Sequence, residues 1–300
     1  MAGPKPGGRL RALKQPLDLD TRTPVLPGSG RALARLIMAA DLRLRAVDSR
    51  KLRTPLGTAS FAPAFPELRD TAFLAVAAHD PVVFGPGLRR ATRWFAAKGA
   101  AAFSLEALEA GLPGGFDEAC LVAGLRPHRS ILLARVPVRR AAPPTTVRIL
   151  EGPTDWEAYL RFKLLTEDHD EAAVRALVLR CRTLAGRGDL SILGLYAQST
   201  LMGAVGLSAG GRVAYAQDLE VLPAWRGRGF GALLMQALEH EALRQGAQIL
   251  GFAALERDWP RTWYQRLGYR QVGAVRSYVR RLPERARSVA PRLLTPVAAP

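Results

Sequence analysis

The sequence predicts an α/β fold in which helices flank a mixed, mostly antiparallel sheet, and it predicts this unit twice. The first observation is the order of patterns in residues 146–281, which is β-α-α-β-β-β-α-β-α-β. The second is a glycine-rich turn between a strand and a helix of that segment. The third is a degenerate copy of these features in the first half of the chain.

Each element of the second half has its own signal. Alternating apolar residues predict strands, and apolar residues at helical spacing predict helices. Thr154-Asp155-Trp156-Glu157 predicts a capping box at the start of the first helix. The predicted strands cover residues 146–150, 190–198, 201–209, 213–221, 248–254 and 271–280. The predicted helices cover residues 154–165, 171–184, 230–245 and 261–267.

The same signals divide the first half. Ser29 can cap a helix whose apolar face runs from Leu33 to Val47. A turn is predicted over residues 81–87, because prolines and glycines are concentrated there. The predicted strands cover residues 58–62, 72–78, 100–104 and 131–138, and further helices cover 88–98 and 116–123.

The glycine-rich turn consists of Arg226, Gly227, Arg228, Gly229, Phe230 and Gly231. Glycines let the backbone approach a ligand closely and point successive N–H groups at it. The start of the following helix adds unpaired donors and a partial positive charge. The turn is therefore predicted to bind phosphate groups.

Three known types of phosphate-binding turn can be compared with this one. A P-loop requires Gly-Lys-Ser/Thr after its glycines, and the turn lacks it. The dinucleotide fingerprint requires an acidic residue about 20 positions later, where this chain has Ile249-Leu250-Gly251. The third pattern, Arg-x-x-Gly-x-Gly/Ala, fits Arg226, Gly229 and Gly231.

With the strand before it, the third pattern resembles the coenzyme A pyrophosphate loop of the GNAT superfamily of acyl-CoA N-acyltransferases. The segment Trp263-Tyr264-Gln265-Arg266-Leu267-Gly268-Tyr269 is similar to the superfamily's Tyr-x-x-Leu-Gly-Phe segment after the fifth strand. The resemblance covers residues 146–281. It implies acetyl-CoA as the acyl donor, no metal, and a sheet whose strands splay at the cofactor site.

The internal repeat becomes visible when 144 is subtracted from each residue number. Gly229-Phe230-Gly231 then falls on Gly85-Pro86-Gly87, and Gly268-Tyr269-Arg270 falls on Gly124-Leu125-Arg126. The intervening helix of the first copy is predicted to be one turn shorter. The chain therefore resembles tandem GNAT proteins.

The first copy lacks the polar groups of the second. Val82 and Cys120 replace Arg226 and Tyr264, and Pro86 removes a backbone donor. We therefore expect the second copy to be the catalytic one. The predicted organisation is a disordered basic tail (1–28), a degenerate GNAT-like domain (29–140), a linker (141–145), a catalytic GNAT domain (146–281) and a basic tail (282–300).

Acyl transfer from a thioester to an amine requires a base for the amine, donors for the oxyanion and a proton for the leaving thiolate. By resemblance, the backbone N–H of Val221 or Leu222 faces the thioester carbonyl. Tyr264 matches the superfamily's proton donor to the sulfur. The alternative role for Tyr264 is that of a core aromatic residue with a polar tip.

Three carboxylates are candidates for the base. Asp218 and Glu220 share one side of the strand that leads into the turn, and partial burial would raise the pKa of either. Asp218 is the first choice, Glu220 the second and Glu256 the third. The acidic cluster at residues 167–171 either attracts a cationic amine or stabilises a helix N-terminus.

Composition limits the other possibilities. The chain has no run of 18 apolar residues and no apolar h-region near its start, so we expect a cytoplasmic protein without a membrane span. Two cysteines, Cys120 and Cys181, are too few for a disulfide framework. Most of the net charge of +17 lies in residues 1–53 and 276–300, where it either solvates the ends of the chain or binds nucleic acid loosely; binding of nucleic acid is expected nowhere else. The oligomeric state is not predicted.

The sequence thus predicts an N-acetyltransferase that transfers an acetyl group from acetyl-CoA to a primary amine by direct attack in a ternary complex. The alternative is a non-catalytic coenzyme A-binding module whose basic tails hold nucleic acid or a protein partner. An acidic group in an open cleft favours the enzyme, whereas a cleft blocked by the first half would favour the module.

Overall fold

The computed structural model describes residues 26–77, 80–139, 146–257 and 260–283. The predicted linker at 141–145 lies outside these residues, as does most of both predicted tails. Within the described ranges, no helix has the length and apolar composition needed to cross a membrane.

The first half contains three helices and five strands. The helices are α1 (Gly30–Arg45), α2 (Pro81–Ala97) and α3 (Phe116–Val122). The strands are β1 (Arg50–Thr54), β2 (Gly57–Phe61), β3 (Phe73–Val76), β4 (Ala102–Leu108) and β5 (Arg126–Arg135).

The predicted order of elements in the second half is confirmed. Its helices are α4 (Pro153–Thr166), α5 (Glu171–Gly186), α6 (Phe230–Arg244) and α7 (Pro260–Arg266). Its strands are β6 (Val147–Ile149), β7 (Ser191–Ala197), β8 (Thr200–Gly210), β9 (Val213–Val221), β10 (Ile249–Leu255) and β11 (Arg270–Arg281).

All eleven strands form one sheet, in the order β1-β2-β3-β4-β11-β5-β10-β9-β8-β7-β6. Only β3–β4 and β9–β10 are parallel pairs among the described strands, so the predicted mostly antiparallel character is confirmed. The two halves exchange their last strands. β5 of the first half pairs with β10, and β11 of the second half pairs with β4.

The helices cover two faces of the sheet. On one face, here the α1 face, Leu33 and Ile37 of α1 pack against Leu132, Tyr215 and Val275 of the central strands. Helices α4 and α5 lie on the same face, in a cluster that includes Leu44 of α1. The other face, here the α6 face, carries α2, α3, α6 and α7. Side chains of one strand alternate between these faces.

Three local predictions are wrong. Residues 81–87 are the first turns of α2, because Asp80 caps the helix by accepting from Val82 N–H and Pro81 fits the first helical turn. Helix α2 has 17 residues against 15 in α6, so the first copy's helix is longer, not shorter. The predicted capping box is also absent, since α4 begins at Pro153 after Gly152 without a side-chain cap.

Candidate active site

The glycine-rich turn lies between β9 and α6, as predicted. A 3₁₀ turn over Pro223–Trp225 leads into it, and Gly227 and Gly229 have left-handed φ angles of 72° and 83°. Helix α6 makes its first backbone hydrogen bond from Leu233 N–H to the Gly229 carbonyl, at 3.1 Å. The N–H groups of the helix's first residues therefore precede the hydrogen-bond ladder and point out of its N-terminus.

The turn is open on its outer side. A Cβ atom added at Gly227 or Gly229 would meet no atom within 4 Å, so their side-chain positions face free space. A Cβ atom at Gly231 would lie 3.4 Å from the Trp263 ring, so this glycine brings α6 close to α7. No side chain from elsewhere in the described residues thus occupies the space beside Gly227 and Gly229, and the residues present fit a phosphate ligand.

The two arginines of the turn are exposed, and each guanidinium group contacts a nearby residue. Arg226 donates from Nε to the Val221 carbonyl at 3.0 Å, which ties the turn to the end of β9. The guanidinium of Arg228 lies 4.9 Å from the centre of the Trp225 ring. Both side chains therefore lie beside the helix N-terminus, where an anion is favoured.

Strands β9 and β10 diverge next to this turn. They pair only from Val213 to Tyr215, so the later part of β9 is not hydrogen bonded to β10. Leu222 N–H donates to the Met202 carbonyl at 2.8 Å, which excludes Leu222 as the free donor. Because successive N–H groups of a strand alternate, that of Val221 points away from β8 and into the gap.

Tyr264 lies on the α6 face of the gap. Its ring is half-buried, with ring-centre distances of 4.3 Å to Phe252, 4.8 Å to Trp263 and 6.2 Å to Tyr269. These contacts fix the position of the ring. The aromatic packing and a hydroxyl role are compatible in this arrangement.

Asp218 and Glu220 lie on the α1 face of the gap. A β-bulge interrupts the pairing of β8 and β9 between Ala204 and Gly206, and Asp218 has a left-handed φ of 50°. Glu220 accepts from Thr166 Oγ1 at 2.7 Å and lies 3.1 Å from Lys163 Nζ. Glu220 is therefore held by a cation, whereas Asp218 remains exposed.

Lys163 was not predicted to be a site residue, although it is fully buried. Burial lowers its pKa, but the attraction of Asp218, Glu220 and Glu167 outweighs burial and raises the pKa overall. Its ammonium group contacts Glu167 at 2.8 Å. A sequence signal existed, because Lys163 continues the apolar stripe of Trp156 and Tyr159 at helical spacing.

The pKa of Asp218 is raised above its ordinary value. The main cause is desolvation of the carboxyl group by the protein around it. The positive charge of Lys163 lowers the pKa, whereas the negative charges of Glu220 and Asp70 raise it. The side chain lies in a concave region, so solvent reaches it from one side only. A raised pKa at an accessible carboxylate is a property of general bases.

Asp218 lines a cavity of about 320 Å³ on the α1 face, here the Asp218 cavity. Gln217 and Ala253 line it where β9 and β10 diverge. The first half supplies much of the remaining wall, through Asp41, Arg45, Asp70 and Glu106. The cleft beside the diverging strands is therefore open, and the first half shapes it without filling it.

The other predicted acidic groups lie elsewhere. Glu256 forms an ion pair with Arg129 and lines a different cavity. Asp170 caps α5 by accepting from Ala173 N–H at 2.8 Å, and Glu171 pairs with Arg175. Two of the four acidic residues thus stabilise α5, and Glu167 contacts Lys163.

The first half has no equivalent of the open turn. Asp80 occupies the N-terminus of α2 with its own carboxylate, and the corresponding position in α6 is Gly229, which provides no side-chain cap. A Cβ atom at Gly87 would lie 2.6 Å from the Leu56 Cβ, so this glycine serves close packing. The Asp80 carboxylate therefore makes the N-terminus of α2 less favourable for an anion than that of α6.

Comparisons with known proteins agree with this arrangement. The family model described as Acetyltransferase (GNAT) domain matches residues 189–271. A GCN5-related N-acetyltransferase from Kribbella flavida is 17% identical, with a TM-score of 0.63 over 82% of this chain and 94% of that one. No curated protein sequence matches the chain.

Two further solved structures share the fold. A functionally unknown conserved protein from Staphylococcus epidermidis is 12% identical, with a TM-score of 0.64 over 79% of this chain and 96% of that one. A tandem GNAT protein from the clavulanic acid biosynthesis pathway is 14% identical, with a TM-score of 0.52 over 83% of this chain and 88% of that one. Residues 189–271 therefore match the model of a GNAT acetyltransferase domain, and the chain as a whole shares its fold with a tandem GNAT protein.

Proposed function

We propose that the second half transfers an acetyl group from acetyl-CoA to a primary amine by direct attack in a ternary complex. The observation that carries this proposal is the open turn at Gly227 and Gly229, which lies beside the divergence of β9 and β10. The GNAT domain at 189–271 supports acyl transfer in general. The proposal adds three things to this: acetyl-CoA as the donor, a primary amine as the acceptor, and direct attack as the mechanism.

Each group has a role in the proposed reaction. The N–H groups at the start of α6, together with Arg226 and Arg228, bind the diphosphate of the coenzyme. Val221 N–H donates to the thioester oxygen, where negative charge develops. Asp218 accepts the proton of the amine as the C–N bond forms, and Tyr264 donates a proton to the sulfur as the C–S bond breaks.

Asp218 is preferred to Glu220 as the base because of their partners. The Glu220 carboxylate already contacts Lys163 Nζ at 3.1 Å and accepts from Thr166 Oγ1 at 2.7 Å, so it is engaged by protein groups. The pKa of Asp218 is raised, and its carboxylate is accessible from the cavity. The open cleft also favours an enzyme over the non-catalytic coenzyme A-binding module.

The test compares two glycines of one helix. Gly229 and Gly246 have φ angles of 83° and 79°, and at both a Cβ atom would meet no neighbour. Each alanine variant should lose about 1–2 kcal/mol of stability from left-handed strain. Of the two variants, only Gly229→Ala should also weaken acetyl-CoA binding, by about tenfold, because it disturbs hydrogen bonds to the charged diphosphate.

The measurements are acetyl-CoA affinity by calorimetry and thiol release from acetyl-CoA over a panel of amines. Equal effects of both variants on acetyl-CoA affinity would contradict the assigned binding site. Tight coenzyme binding without thiol release for any amine class would favour the non-catalytic module instead.

A further inference from the structure

A second cavity continues the Asp218 cavity across the α1 face. It has a volume of about 710 Å³ and lies over β4, β11 and the start of β5. The two cavities share Arg45, Asp70, Glu106, Ser130 and Ser277 as lining residues. They therefore form one cleft, here the acceptor cleft, which runs from the diverging strands of the second half onto strands of both halves.

Opposite charges occupy the two ends of the acceptor cleft. Asp41 and Asp218 are the charged residues that line only the Asp218 cavity within the described part of the chain. Of these two cavities, Arg69, Arg126 and Arg281 line the second and not the first, and so does His128. One end therefore favours a cation such as an amine, and the other end favours an anion.

The three arginines are available for a ligand. Arg69, Arg126 and Arg281 are exposed, and none of them forms a salt bridge with a residue in the described ranges. Arg45 and Arg129, by contrast, pair with Glu106 at 3.1 Å and with Glu109 at 2.7 Å. Arginines without a carboxylate partner can donate bidentate hydrogen bonds to a carboxylate or a phosphate.

The charges in the middle of the cleft are paired, and Asp70 there contacts Arg180 at 3.4 Å. Glu106 is 5% exposed and accepts from Ser104 Oγ at 2.6 Å and from Ser277 Oγ at 2.5 Å. Its charge is balanced by Arg45, which also donates to the Asp70 carbonyl at 2.8 Å. A neutral, polar segment of a ligand fits this floor of small side chains.

The distance from the shared middle of the cleft to its arginine end sets a minimum length for a ligand that spans the cleft. Ser130 lines both cavities, and Arg126 lies four residues before it on β5. At the rise of a strand, this distance is about 13 Å. The carboxylate of a single α-amino acid lies too close to its amino group to span it. An extended chain of about four residues has the required length.

We propose that the acceptor is an elongated amine that carries a carboxylate or phosphate about 13 Å or more from its amino group. The amino group binds at Asp218, and the anionic group binds at Arg69, Arg126 and Arg281. A short peptide with a free C-terminal carboxylate has this chemistry. The inference rests on the proposed function of the second half, and it assigns anchoring of the acceptor to residues of both halves.

The first test measures binding, so it does not depend on turnover. Alanine peptides of two to six residues, as free acids and as C-terminal amides, are titrated into the full-length protein by calorimetry. The free acid of about four residues should bind at least about tenfold more tightly than its amide, because it gains charged hydrogen bonds. The double variant Arg126→Gln with Arg281→Gln should abolish this difference, and Arg69→Gln should reduce it.

Arg90→Gln is the matched control, because Arg90 is an exposed arginine of α2 on the opposite face of the sheet. It should preserve the preference for the free acid. An aminoalkyl phosphate of similar length, compared with the corresponding amino alcohol, separates phosphate from carboxylate recognition. A preference for either anionic probe that depends on Arg126 and Arg281 supports the inference.

Equal binding of acids and neutral counterparts over the whole series would overturn the inference, as would a preference that the double variant retains. Thiol release from acetyl-CoA is then measured with the same probes. In the double variant, KM for the anionic acceptor should rise about tenfold, with kcat nearly unchanged. Anion-dependent binding without thiol release would count against the proposed function and leave the anionic site in place.

Discussion

At the scale of single residues, Asp218 combines an unusual backbone with an unusual carboxyl group. Its φ of 50° belongs to the left-handed region, which asparagine and aspartate tolerate better than most residues. The bulge turns the side chain toward the cavity, where surrounding protein and nearby carboxylates raise its pKa. Asparagine can therefore replace Asp218 without adding backbone strain.

Asp218→Asn should lower kcat/KM for the amine by roughly 100-fold or more, because the base is lost. The variant should also be more stable than the wild type at pH 8. The pKa of Asp218 is raised in the folded state, so its ionisation costs stability as the pH rises above about 4. The difference in melting temperature should disappear toward pH 4, and thermal unfolding at several pH values measures it.

Asp48→Asn is the matched control for this prediction. Asp48 is also left-handed, with a φ of 60°, but its hydrogen bond with Arg187 lowers the pKa of its carboxyl group. Asp48→Asn should leave amine acetylation unchanged and should gain no stability at high pH. A gain of stability at pH 8 in both variants would show that desolvation of the Asp218 carboxyl group is not the cause of the gain.

At the scale of elements, a carboxylate inside the first turn of α4 replaces the predicted capping box. Asp155 accepts from Arg148 at 2.6 and 2.5 Å, from Glu151 N–H at 3.1 Å and from the Tyr196 hydroxyl at 3.1 Å. These bonds connect α4 to β6 and β7. They lower the pKa of Asp155 to about 2, with the Arg148 hydrogen bonds as the largest cause.

Asp155→Asn should therefore destabilise the protein by about 2 kcal/mol at pH 7, because charged hydrogen bonds are lost. The contribution of Asp155 is fully present above pH 4 and is lost as the pH falls toward 2, since its folded-state pKa is depressed. Denaturant unfolding at pH 7 and pH 3 would show a smaller difference at the lower pH.

Thr154→Ala separates the observed arrangement from the predicted one. Thr154 is exposed and lies inside α4, so its loss should change stability by less than about 0.5 kcal/mol. A loss of 1 kcal/mol or more is expected for the removal of an N-cap, so it would support the predicted capping box instead.

At the scale of the whole molecule, the exchanged strands bind the two halves into one sheet. β5 is hydrogen bonded to β10 over six register positions, and β11 is hydrogen bonded to β4 over seven. The strand that lies next to β10 on the side away from β9 thus comes from the first half. The degenerate copy is a structural part of the second half, in addition to lining the acceptor cleft.

Cleavage of the chain between residues 139 and 146, through an inserted protease site, should therefore leave the two pieces associated. The product should elute from a sizing column as one species with the mass of the intact chain, and acetyl-CoA binding should be retained. The pieces should separate in denaturant alone. Elution of two separate folded pieces under native conditions would show that the strand exchange does not hold the halves together.

Much of the architecture could be predicted because its signals are local. The helical face of α1, the alternation in β9 and the glycines before α6 each lie within one short segment. β1 was missed, because its residues Arg50–Thr54 are mostly charged and exposed and show no apolar alternation. The capping box failed because Gly152 and Pro153 begin the helix earlier.

The candidate site was predicted in part, for a physical reason. The turn at Gly227 and Gly229 is one continuous segment, so its conformation and its phosphate-binding character follow from local chemistry. The choice between Asp218 and Glu220 depends on Lys163, which lies on another helix. A single sequence contains no pattern that reveals which distant segments come into contact.

The amino-acid sequence by itself determined the α/β class, the order of the elements, the internal repeat and the place of the open turn. Each of these depends on residue spacing within a segment or on similarity between two segments. The tertiary structure alone decided the exchange of β5 and β11, the pairing of Glu220 with Lys163 and the charge separation in the acceptor cleft. These features arise where chain segments far apart in sequence meet, and packing and desolvation at those meetings set their chemistry.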